Sequence, residues 1–171
     1  MKSLRVVAVL AIFATFAVGQ EQRQSSDLPI DLLRAAEAEG SLNMFVTAAQ
    51  SSGLAKMLKE EGPFTVFALS DRAFINLARE DRDTLLNNHF AMHMLLSRYI
   101  VRGVVGGDAA SLSSARTLIG VKLRTDDHEG TLYVNGARLQ KSEIACSNGA
   151  IHVLDRFDPM LVHEAVVAAR K

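Results

Sequence analysis

The sequence predicts an α+β domain. Apolar residues recur at helical spacing through its first half, short β-branched and aromatic runs separated by glycine turns fill its second, and helices followed by strands favour segregated layers. The composition suits one globular domain: 171 residues, 49% hydrophobic, 22% charged, with a single cysteine. With 19 Lys and Arg against 19 Asp and Glu there is no basic excess to track a phosphate backbone, which argues against nucleic acid as a partner. One cysteine makes no internal disulfide.

Residues 1–19 read as a secretory signal peptide. Lys2 and Arg5 precede an apolar run from Val6 to Val18, and Ala17-Val18-Gly19 places small residues at a cleavage site. Spanning a bilayer takes about 20 apolar residues, and Glu21 and Arg23 end the run early. No membrane span is expected once the leader is removed. Residues 20–26 (QEQRQSS) form a polar lead-in, the domain occupies 27–159, and 160–171 form a helical tail.

From Leu28 to Glu61 the apolar positions Leu32, Leu33, Ala36, Leu42, Phe45, Val46, Ala49, Leu54, Met57 and Leu58 predict three helical pieces cut by Gly40, Gly53 and Gly62. Phe64 to Leu69 is β-branched, aromatic and too short for an ordinary helix, so it is a strand. Ser70 stands as an N-cap and Asp71 favours the dipole of a short helix over 71–78. A longer helix starts at Asp81 or Asp83 and carries Leu85, Leu86, His89, Phe90, His93, Met94 and Ser97.

Tyr99 to Val105 is a strand containing Gly103. Arg116 to Ile119 and Val121 to Thr125 flank Gly120, and Asp126 to Gly130 is a polar turn. Thr131 to Val134 and Ala137 to Leu139 flank Asn135-Gly136, a strong hairpin signal. Ile144 to Cys146 and Ala150 to Leu154 flank Asn148-Gly149. In the tail, Leu161, Ala165 and Ala168 make an apolar stripe beside Val162 and Val166.

Little in this pattern points to catalysis. His89 and His93 share a helix face at a spacing that suits a metal, yet no third ligand stands nearby and they read as structural. Cys146 alternates with Ile144 on one strand face, as a buried, inert thiol would. On the same argument Glu143 faces solvent. No Asn-x-Ser/Thr sequon occurs.

Two segments carry a family resemblance. The run from Gly62 to Phe74 (GPFTVFALSDRAF) resembles the first signature of the fasciclin domain, and Asn148 to Asp155 (NGAIHVLD) resembles the second. Asn135-Gly136 falls at the family's hairpin. The resemblance runs from about Leu28 to Pro159 and implies a wedge-like β-sandwich with helices along one side. It assigns structural roles to Thr65, Phe67, Ser70, Asp71, Phe74, Asn148, Gly149 and His152, with Phe67 and Phe74 packing inward and His152 buried and hydrogen-bonded. It also implies a secreted, single-domain, non-enzymatic module for cell adhesion or matrix contact, without a cofactor. Its partner would be a matrix protein or a cell-surface receptor such as an integrin. Leu69 replaces the usual proline of the first signature. The adhesion candidates are Arg98-Tyr99, where the family has a Tyr-His pair, and Glu143-Ile144, where some members have Asp-Ile. A second function compatible with helices over a sheet is carriage of a small apolar ligand such as a lipid.

Overall fold

A computed structural model describes residues 30–171; the predicted leader, the lead-in and the expected domain start at 27 lie outside the described residues. The three helical pieces are α1 (Leu32–Ala38), α2 (Asn43–Ser51) and α3 (Leu54–Glu60). Asp31 caps α1 by accepting from the Arg34 amide at 3.0 Å. Gly53, at φ +78°, makes the turn into α3, a left-handed conformation that glycine adopts without a Cβ clash. Leu42, Phe45, Leu54 and Leu58 are fully buried.

Strand β1 (Phe64–Leu69) is buried along its whole length. It pairs in parallel with β6 (Gly149–Leu154) and antiparallel with β2 (Ile100–Arg102). A strand covered on both faces needs a continuous apolar run, not an alternating one. In cross-strand order the sheet reads β2, β1, β6, β5 (Ala137–Cys146), β4 (Thr131–Val134) and β3 (Thr125–His128). The architecture is α+β, as expected, with a curled mixed sheet. Strand β5 belongs to both of its halves: Ala137 and Arg138 pair with β4, whereas Leu139 to Cys146 pair with β6 through two irregularities. The two short strands expected at 137–139 and 144–146 are therefore one.

Other elements differ from expectation. The short helix after β1 is α4 (Asp71–Ile75), and the longer one divides into α5 (Arg79–Leu86) and α6 (His89–Leu96). Asn88 causes the break, because its side chain accepts from the Ala91 amide at 2.9 Å and starts a new helix. Helix α7 (Ala109–Ser114) was not expected; Asp108 caps it through the Ser111 amide at 2.8 Å. The strand expected over 99–105 is reduced to β2, and those around Gly120 are isolated bridges. Conversely, Asp126 to His128 are strand, and the turn shrinks to Glu129-Gly130, both at positive φ.

The tail is α8 (Pro159–Ala169), which packs on α5 and α6 of its own domain. Its buried face is Val162, Ala165 and Val166, with Ala169 packed beside them; Ala168, expected in the stripe, is exposed. Among the described residues no helix is long and apolar enough to cross a membrane.

Candidate functional site

One buried hydrogen-bond chain joins the two signatures and ends beneath an exposed carboxylate. Thr65, on β1, donates from Oγ1 to the Gly103 carbonyl at 2.8 Å and accepts from the Val105 amide at 2.8 Å. The Val105 carbonyl lies 3.2 Å from Nε2 of His152, on β6. His152 Nδ1 accepts from the Glu143 amide at 3.1 Å. These partners require a neutral imidazole with its proton on Nε2. His152 is 0% exposed and stacks on Phe67, with ring centroids 5.2 Å apart. Burial holds its pKa below the ordinary 6.5, against the opposing pull of the Val105 carbonyl and the Glu143 charge.

Glu143 sits in the irregular part of β5 at φ +55°. Non-glycine residues seldom adopt that conformation, so the neighbouring structure must hold it. Its amide bond to His152 is one such hold. The side chain is exposed, while Ile144 and Cys146 are half-buried against the core on the opposite face. The Cys146 thiol is thus less buried than the alternation argument predicts. Burial, with the Asp31 charge, pushes it up to about 11, which keeps it protonated.

The remaining signature residues anchor helices to the sheet. Asn148 donates from Nδ2 to the carbonyls of Leu58 and Glu61 at 2.9 and 2.8 Å and accepts on Oδ1 from the Leu32 amide at 2.9 Å. It therefore ties the end of α3 and the start of α1 to the β5–β6 hairpin. Gly149 is obligatory, since a Cβ there would lie 1.9 Å from the Phe64 carbonyl oxygen. Ser70 caps α4 by accepting from the Ala73 amide at 3.3 Å. Asp71 has a role the sequence did not reveal: its carboxylate accepts from the Met44 amide at 2.7 Å and from Asn43 Nδ2 at 2.9 Å, capping α2 from another element. Helix α2 has no cap of its own, because Leu42 stands at that position. Phe74 packs edge-on against Phe157 with centroids 4.9 Å apart.

The two pairs of adhesion candidates do not meet. In the register Ile100, Val66, Ile151, Ile144, strands β1 and β6 separate them, a span of about 14 Å at ordinary strand spacing. Tyr99 is 0% exposed, and its hydroxyl accepts from the Asp158 amide at 2.9 Å. Its ring is thus part of the core and offers no surface to a receptor. Burial raises its pKa. Arg98 forms an ion pair with Glu164 at 2.7 Å. His89 and His93 each turn Nδ1 to a carbonyl at the end of α2, those of Ser51 and Ser52, as structural histidines would.

Sequence reasoning also passed over Asp158, which caps α8 through the Met160 amide at 2.8 Å and pairs with Arg124 at 2.5 Å. The Asp-Pro dipeptide at the helix start was a signal for it.

The fasciclin domain family model matches residues 40–157. The chain is 29% identical to transforming growth factor-beta-induced protein ig-h3 of Sus scrofa, with 70% of this chain but 18% of that protein covered. It is 25% identical to human periostin, covering 66% of this chain and 14% of periostin. An uncharacterized Synechocystis protein is 31% identical, with 73% and 94% covered. The solved FAS1 domain pair of the insect cell adhesion molecule fasciclin I superposes with a TM-score of 0.65 at 16% identity, over 75% of this chain and 50% of that one. With the family model matched from the turn before α2 to the residue ahead of the α8 cap, this chain belongs to the fasciclin domain family.

Proposed function

We propose that this chain is a secreted, non-enzymatic interaction module that binds a cell-surface receptor or a matrix protein through the β5 bulge. The observation that carries the reading is Glu143: an exposed carboxylate at positive φ, fixed from beneath by the bond between its amide and His152. A carboxylate on an ordered backbone can enter the coordination shell of a receptor-bound divalent cation, which takes oxygen ligands, with less ordering cost than one on a loose loop. Glu reaches further than the Asp of related sites and adds a torsion to immobilise. Kinship with an insect cell adhesion molecule supports the same direction. Cells plated on the immobilised protein should attach when divalent cations are present and detach in EDTA. Attachment indifferent to EDTA would reject the cation-bridged mode.

A second reading, a carrier for a small apolar ligand, is favoured by the cleft of about 230 Å³ beside α8, to whose lining Val121, Met160 and Leu161 contribute. An organic extract of the purified protein, analysed by mass spectrometry, tests it through the presence or absence of a co-purifying apolar molecule.

A further inference from the structure

Helices α6 and α8 lie antiparallel. Asn88 Nδ2 ties the start of α6 to the Ala169 carbonyl at 3.3 Å, and just past its end Arg98 pairs with Glu164 of α8 at 2.7 Å. Their inner faces supply Met92, Leu95, Val162 and Val166 to the core. Their outer face is apolar as well. Phe90 is 66% accessible at one end; Met160 is 62% accessible at the other, with Val121 beside it at 49%. Met94, Leu161 and Ala168 lie between, and the Arg98–Glu164 pair crosses the middle. Single exposed apolar side chains are ordinary, but a group of them on one face marks an interaction surface.

This face is complementary to itself. One end is a knob, the Phe90 ring; the other is a hollow, the cleft of about 230 Å³ beside Val121, Met160 and Leu161. A cavity of about 150 Å³ holds a benzene ring, so the cleft has room for a phenyl group. From Ala168, near Phe90, to Met160, at the cleft, α8 advances about 12 Å. Between these ends stand one cation and one anion, Arg98 and Glu164, whose side chains are 25% and 49% accessible. A two-fold rotation about an axis through that pair sends Phe90 of each copy to the cleft of the other and sets Arg98 against the partner's Glu164. An isologous contact needs its knob, hollow and both charges on one chain, and this face carries all of them. Lys122, also on the cleft lining, then meets the entering ring, and an ammonium and an aromatic face attract. With 19 basic against 19 acidic side chains, two copies carry no net charge to hold them apart.

We propose that the outer face of α6 and α8 docks a second copy of this chain, with Phe90 of each copy in the cleft of the other and Arg98 paired to the partner's Glu164. The inner face of α8 is packed on its own domain, so the contact needs no exchange of elements. A lipid surface is the poorer fit, because membrane-binding faces carry a basic rim, whereas the charges at the middle of this one cancel. The proposal is independent of the adhesive reading and competes with the carrier reading, since the ring takes the cleft.

Sedimentation velocity of the purified protein over a concentration series tests it. The mass should rise to that of two chains. Phe90→Ser, which removes an exposed ring, should return it to one chain, with the circular dichroism spectrum unchanged. Arg98→Glu and Glu164→Arg should each do the same, because each sets like charges against like across the axis. An equimolar mixture of those two variants should recover the two-chain mass, since their charges are then opposite. A single-chain mass for the wild type throughout the series would overturn the proposal. So would a two-chain mass unmoved by Phe90→Ser, or a mixture of the charge variants that stays monomeric. A different protein bound on this face by a chain that stays single would also overturn it.

Discussion

At the scale of single residues, His152 sets the terms. It accepts from Glu143 and donates to Val105, so removing its ring orphans an amide and a carbonyl. His152→Ala should lower stability by about 1–3 kcal/mol, measured by denaturant or thermal unfolding. Its depressed pKa gives the sign of a pH effect. The unfolded chain takes up the proton first, so this contribution is fully present above pH 6.5 and is lost as pH falls through the lower folded value. Unfolding at stepped pH should show stability dropping below about pH 6.5, and the His152→Ala protein should lose that part of the slope. The burial of His152 was legible only through its place in a signature, since strand alternation sets it opposite Ile151 and Val153 and β6 is buried on both faces. That of Tyr99 was not, since its hydroxyl partner, the Asp158 amide, is 59 residues away. Nor could local sequence reveal that Thr65 and His152 share Val105.

At the scale of elements, the helices depend on caps supplied at a distance. Asp71→Ala removes the acceptor of the Met44 amide and should cost about 1 kcal/mol, within the range for a lost cap, even though Asp71 lies outside α2. Ser70→Ala should cost a similar amount through α4, and the double variant reports whether the two caps act independently. Helix α8 contributes Val162, Ala165 and Val166 to the core. Deleting Val162 to Lys171 should therefore destabilise the domain by several kcal/mol without requiring a second copy; unchanged unfolding would refute the packing. Elements with period and length on their side, such as α1 to α3, β1 and the Asn135-Gly136 hairpin, could be read directly. The break between α5 and α6 could not, because Asn87-Asn88 is compatible with a helix interior until the cap on Ala91 is known. Helix α7 escaped for a related reason: its six residues carry only one fully buried apolar side chain, Leu112.

At the scale of the whole molecule, two regions separate in character. The sheet holds the signatures in a continuous polar chain that ends under Glu143, while the cleft lined by Val121, Met160 and Leu161 lies between α8 and the segment around Gly120. The two are chemically distinct, so variants in one should leave the readout of the other unmoved. The proposed secretion makes a direct prediction from residues 1–19: N-terminal sequencing of material recovered from the medium should begin at or near Gln20, whereas an intact Met1 to Gly19 on membrane-bound protein would contradict it. The central claim, that the β5 bulge presents Glu143 to a receptor, is tested most directly by cell attachment to immobilised wild-type and Glu143→Ala protein with divalent cations present. Attachment to the variant should be reduced at an unchanged melting temperature; equal attachment to both proteins would refute a role for Glu143.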